Sequence, residues 1–148
     1  MHLLSFTLAG QRFAIPLEYV ERVLRSALVT LIPDVPILIY GLLDYSGEVI
    51  LTINLRNHLK LKEKEITEND RFIITHFRDK KFVLVVDEVE TVVKDKGFNN
   101  NGNNGTEKTP VVMRDSHGIL MILDLEKLNS DMEKTCPAEI LSYQPADR

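Results

Sequence analysis

A mostly β protein, built as two small β-barrels packed on each other, is what this sequence predicts, on three observations. Apolar and polar residues alternate in short runs along the chain, long amphipathic helices are missing, and the second half repeats the pattern of the first. The 148 residues are enough for one domain with a real core. A composition of 44% hydrophobic and 27% charged residues is an ordinary globular balance.

Leu4, Phe6 and Leu8 alternate with Ser5 and Thr7 as a first strand. Ala9-Gly10-Gln11 turns the chain, and RFAIPL follows as a partner strand. The stretch GLLDYSGEVILTINL, Gly41 to Leu55, places two apolar runs around the polar knot DYSGE. It reads as a hairpin turning at Ser46-Gly47, where Gly47 permits the turn. RFIITHF, Arg71 to Phe77, turns at Arg78-Asp79-Lys80 into KFVLVV, Lys81 to Val86. Val and Ile favour strands because branched side chains pack well on a pleated surface. Short helical turns are expected at Leu55–Leu59, at Leu125–Leu128 and around Pro36–Tyr40. KLKEKEIT, Lys60 to Thr67, alternates in sign and reads as a solvated linker. Residues 97–110 contain the run FNNNGNNGTEKTP, which has almost nothing to bury and is expected to be a mobile loop. Residues 133–148 read as a polar, partly ordered tail.

FAIPLEYVERVL, Phe13 to Leu24, matches FVLVVDEVETVV, Phe82 to Val93. Position 13 answers to 82, an offset of 69, which pairs Glu18 with Asp87, Val20 with Val89 and Val23 with Val92. ILTINLRNHL matches LMILDLEKLN, and here Asn54 answers to Asp124, an offset of 70. Near-constant spacing over two separate blocks argues against chance. Residues 1–148 thus read as a single domain with duplicated halves at about 1–62 and 68–129. Two such units must pack on each other, and the seam between them is a natural groove for a partner.

Lys plus Arg is 18 and Asp plus Glu is 22, a net charge of −4, which is a poor start for a phosphate-backbone binder. The sequence has no Trp, and nothing interleaves aromatic with basic residues as a stacking groove requires. Cys136 is the single cysteine, which excludes an internal disulfide and fits a reducing compartment. MHLLSFTLAGQRF lacks a basic lead and reads as a strand, not a signal peptide. The longest apolar run, near Pro36 to Leu43, is far shorter than a spanning helix needs, so a soluble, cytoplasmic protein is expected.

His2, His58, His76 and His117 share no metal-ligand spacing. Asp87, Glu88 and Glu90 cluster as an acid–base pair or a divalent site would. They fall at a bend between strands, however, and the repeat already accounts for Asp87 and Glu90 through Glu18 and Glu21. The glycines of NNNGNNG lack Walker spacing, and no serine sits in a G-x-S-x-G elbow. No catalytic residue, metal or cofactor is implied by these patterns.

The order of blocks resembles the CheW-like domain family, the adaptors that couple chemoreceptors to the histidine kinase CheA. The family's F-A-[IL]-P-[LI]-x-x-V-x-x-V is met by FAIPLEYVERV, its Pro-x-x-Pro approach by PDVP, and its hairpin motif by GLLDYSGEVILTINL. VLVVDEV and LDLEKL complete the pattern, which covers Leu3 to Leu128. The resemblance implies two SH3-like five-stranded β-barrels, no enzymatic activity, and two partners. A groove between the barrels would take the receptor's cytoplasmic tip, and loop and edge surfaces would meet the kinase's regulatory domain. Carried over by position, the groove residues are Val20, Arg22, Ser46, Phe72 and Val89, with plain core as the alternative for Val20, Phe72 and Val89. Where the family commonly has Glu this chain has Arg22, and where it has Arg this chain has Ser46. Glu48 is therefore expected to pair with Arg22, and Tyr45 replaces the family's usual Leu at the hairpin tip. The competing reading is a small-barrel module for a ligand or nucleic acid.

Overall fold

The structure, a computed structural model, describes residues 2–94 and 111–135. The Asn/Gly segment expected to be mobile, and the tail beyond Thr135, lie outside the described residues. The strands are β1 (His2–Leu8), β2 (Gln11–Pro16), β3 (Val20–Arg25), β4 (Ile39–Tyr45) and β5 (Glu48–Ile53). A short helix, α1 (Leu55–His58), ends the first half. There follow β6 (Arg71–Phe77), β7 (Lys80–Val86), β8 (Glu88–Lys94), β9 (Val111–Asp115), β10 (Gly118–Ile122) and α2 (Leu125–Thr135).

The mostly β class holds, with two five-stranded sheets, but the halves do not make one sheet each. One sheet runs β8-β1-β2-β10-β9 and the other β3-β6-β7-β5-β4. Each takes a hairpin from one half of the chain and three strands from the other. Replacing every strand by the one in the same place in the other half of the chain converts one order into the other, a strand exchange between the halves. The exchange follows from two short crossings. β2 leads through a 3-10 turn, Leu17–Tyr19, into β3 of the other sheet, and only Asp87 separates β7 from β8. Repeat-related parallel pairs close each unit: Met121 opposite Phe13, and Leu51 opposite Phe82. Among the described residues the sheets are open ladders and not closed barrels, with β8 and β9 at the edges of one and β3 and β4 at the edges of the other.

Exchange forces a shared core. The main cluster joins Phe6, Phe13 and Ile15 of one sheet to Ile53, Phe82 and Leu84 of the other. Each sheet keeps a smaller cluster of its own, around Phe72 and Ile74 in one and around Leu3, Ala14 and Leu120 in the other.

The repeat extends to the helix caps. Asn54 Oδ1 accepts from Asn57 N at 3.2 Å, and Asp124 Oδ1 accepts from Lys127 N at 3.2 Å, satisfying one orphan donor in each first turn. Both expected turns form here, but the second runs on to Thr135. Leu125, Leu128, Asn129 and Met132 give it a buried stripe at helical spacing, a longer face than the Leu125–Leu128 reading allowed. Around Pro36–Tyr40 a single turn closes, with Ile39 N donating to Pro36 O at 2.9 Å, and it does not continue as a helix because Ile39 already enters β4.

α2 is fastened from two sides. Lys80 Nζ donates to Asn129 Oδ1 at 2.8 Å, and His58 Nδ1 lies 2.7 Å from Asp131 Oδ2, linking the two helices. Burial pushes the His58 imidazole below its usual pKa, against the pull of Asp131. The unfolded chain therefore binds a proton that the folded chain resists. Stability should fall as pH drops below the unfolded value of about 6.5, and that loss should stop once the folded His58 titrates. The expected result is that His58→Gln shows a smaller drop in urea midpoint between pH 7 and pH 5 than the unsubstituted protein. An equal drop in both would assign the acid sensitivity elsewhere.

Candidate functional site

The residues singled out in the sequence divide into three groups. The first meets at the β4–β5 hairpin. Tyr45 and Glu48 pair across a two-residue loop whose Ser46 (φ 53°) and Gly47 (φ 84°) are both left-handed, the geometry that matches strand twist. Arg22, exposed on β3, lies over the Tyr45 ring with its guanidinium carbon 5.9 Å from the centroid. Such an exposed cation–π contact contributes about 0.5–1 kcal/mol.

Glu48 does not pair with Arg22. Its carboxylate takes Lys81 Nζ at 3.0 Å, and the same ammonium reaches Glu21 Oε2 at 2.9 Å. β7 lies directly beside β5, so Lys81 is the nearer cation, while Arg22 is occupied by the aromatic ring. Glu21 and Glu48 together hold the Lys81 ammonium above its usual pKa.

The second group is internal. Phe72 is 0% exposed, opposite Leu24 on one side and Val85 on the other, so it supports the sheet and offers no side chain to a groove. Val20 and Val89 are half-buried on β3 and β8 and pad the main cluster, one from each sheet.

The third group is the acidic cluster, which the fold scatters. Asp87 takes Arg56 Nη2 at 2.8 Å and the Ala9 N–H at 2.9 Å. Glu90 takes Arg12, which also makes paired 2.8 Å bonds to both oxygens of Asp115 and holds that carboxyl well below the usual range. Among the described residues no group of three His, Cys, Asp or Glu is placed to hold a metal. Arg12, Arg56 and Asp115 carry these links. Nothing in the linear sequence marks them, because their partners lie 31 to 103 residues away.

A further surface was not anticipated. The segment between β3 and β4 and the linker before β6 enclose an apolar trough of about 870 Å³. Leu28, Leu31 and Ile37 stand on its loop wall at 90%, 77% and 61% exposure. The linker wall carries Glu63, Lys64 and Glu65. The run read as a plain solvated linker is stapled in place: Lys64 Nζ binds Asp70 at 2.8 Å, and Tyr40 Oη donates to Lys64 O at 3.1 Å. Asn54 ties both walls together, donating to Ile37 O at 3.2 Å and to Glu63 Oε1 at 2.8 Å.

Two interlocked five-stranded sheets with a duplicated pattern and a shared core define a strand-exchanged, two-sheet β-domain. A CheW-like domain profile matches residues 2–133, and the chain belongs to that family. It is 33% identical over 91 residues to chemotaxis protein CheW of Bacillus subtilis (strain 168), a match spanning 62% of this chain and 58% of that protein. It is 25% identical over 141 residues to chemotaxis protein CheW of Treponema pallidum (strain Nichols), covering 88% of this chain and 83% of the relative. The crystal structure of scaffolding protein TtCheW from Thermoanaerobacter tengcongensis superposes with a TM-score of 0.70 at 21% identity, over 83% of this chain and 88% of that one, a likeness of fold. No helix among the described residues is long and apolar enough to cross a membrane.

Proposed function

We propose that the protein is a non-catalytic scaffold of chemotaxis-type signal transduction, working in the cytoplasm without a cofactor. It couples the cytoplasmic tip of a chemoreceptor to the regulatory domain of a CheA-like histidine kinase. The observation that carries this reading is the family match over residues 2–133, supported by relatives that are named chemotaxis proteins and a structural neighbour titled a scaffolding protein. The hairpin face offers the contact chemistry. Arg22 and Tyr45 present a cation on an aromatic ring, Ser46 and Glu48 flank them, and Val20 lies at the base of the same β3 strand. Val89 holds the equivalent place on the other sheet, and Phe72 acts from within, on β6 beside β3 and opposite Leu24.

Calorimetric titration against the regulatory domain of the CheA-like kinase from the same genome tests the reading. Saturable binding at micromolar or tighter affinity is expected, and Arg22→Glu, a groove change, should weaken binding of a receptor-tip peptide and leave kinase binding in place. An absence of binding at several hundred micromolar would remove the kinase from the proposal.

A further inference from the structure

The apolar trough beside β4 lies apart from the hairpin face, and none of the seven residues assigned to partner contacts lines it. Its exposed leucines are not the by-product of a loose loop. Thr30 and Leu42 exchange two backbone hydrogen bonds of 2.8 Å, Ser26 Oγ donates to Thr67 O at 2.7 Å, and Asn54 holds Ile37. The backbone thus holds Leu28, Leu31 and Ile37 open to water, which soluble chains rarely do without a partner.

The opposite wall has a definite charge. Lys64 is consumed by the buried Asp70, so its cation is neutralised within the protein. Among the described residues Glu63 receives only a neutral amide donor, from Asn54, and the one bond Glu65 accepts goes to its backbone carbonyl. Two carboxylates without an ion-pair partner among the described residues therefore line the trough beside its apolar residues. The Tyr40 phenol at the trough registers the same field: burial, then the charge of Glu63, pushes its pKa up to about 12. Addition of a strand is blocked where the trough meets the sheet, because Thr30 already occupies the outer edge of β4 at Leu42.

We propose that this trough docks a short amphipathic helix of another protein, its apolar stripe against Leu28, Leu31 and Ile37 and its flanking Lys or Arg residues against Glu63 and Glu65. Exposed apolar side chains on the loop side and two unpaired carboxylates on the linker side are complementary to such a helix. An anionic headgroup or an acidic peptide would meet like charge on the linker side. The inference does not depend on the identity of the kinase or the receptor.

The test uses the full chain and two labelled amphipathic peptides of about four helical turns, one of Leu and Lys, the other with Glu in place of every Lys. Fluorescence anisotropy at physiological salt should show the Leu/Lys peptide binding about tenfold more tightly or better, a gap of about 1.4 kcal/mol. Leu31→Asp should cost about tenfold in its affinity, and Glu63→Gln with Glu65→Gln should erase the preference between the peptides. Leu28→Asp serves as a second apolar-wall variant, and circular dichroism confirms that each variant is folded. Equal binding of both peptides, or unchanged affinity in both Asp variants, would overturn the proposal. So would a concentration-dependent dimer dissolved by Leu31→Asp, since the trough would then serve a second copy of this chain. Kinase titration with Leu31→Asp separates the two ideas: full kinase binding beside lost peptide binding leaves the scaffold reading untouched.

Discussion

Gly41→Ala is expected to destabilise the protein by about 3 kcal/mol, the upper end of what overpacking costs, and to lower the melting temperature by roughly 10 °C. Gly41 lies in β4 where the β3–β4 loop crosses it. A methyl group there would sit 2.1 Å from the Thr30 carbonyl oxygen and 2.9 Å from Val29 Cγ1. The nearest atom is backbone, so no rotamer change relieves the clash. The loop must lift, breaking the Thr30–Leu42 bridge and opening one wall of the trough. Gly47 makes the control, because its left-handed φ of 84° strains an alanine but nothing lies within 4 Å of the added methyl. Gly47→Ala should cost about 1 kcal/mol. Chemical denaturation of both variants decides the matter: equal losses would mean that the loop is not pinned as described.

Asp87→Ala is expected to cost about 3 kcal/mol, the lower end for breaking a buried ion pair, since the carboxylate is partly hydrated. The residue holds together parts that are distant in the sequence. It accepts from the Ala9 amide at the β1–β2 turn and from Arg56 on α1, and it is the single residue between β7 and β8. Its loss leaves the Arg56 guanidinium, on a residue 8% exposed, without a counter-charge, and the Ala9 N–H without its acceptor. The reverse change should be milder. Arg56→Met removes the buried cation and leaves a carboxylate that water can reach and that still serves Ala9. The ordering Asp87→Ala worse than Arg56→Met, with the double variant less destabilised than the sum, is the expected outcome of a double-mutant cycle. Strict additivity would show that the pair contributes no coupling.

Much of the local structure was legible in the residue pattern. The alternation in Leu4–Leu8 and the Val- and Ile-rich runs Arg71–Phe77 and Lys81–Val86 marked strands that form, and Ser46-Gly47 marked the hairpin turn. The candidate site was harder to read. Arg22, Tyr45, Ser46 and Glu48 do gather at one hairpin face, but Phe72 is internal, and Glu48 chooses Lys81 over Arg22. Burial and partner choice depend on which strand lies alongside, and periodicity of two only says that a residue faces one side.

The sequence alone determined the β class, the repeated residue pattern, the starts of two short helical turns and the likeness to the family, because these rest on local periodicity and on a pattern read along one dimension. Tertiary structure decided the rest. It assigned strands of both halves to each sheet, since a crossing as short as Asp87 can feed either sheet and only the shared core around Phe13, Phe82 and Ile53 selects one. It spent the acidic cluster on Arg12 and Arg56, charges whose attraction depends on separation in space and not along the chain. It also raised the trough, where Thr30 meets Leu42 and Asn54 joins Ile37 to Glu63, through contacts that no stretch of neighbouring residues contains.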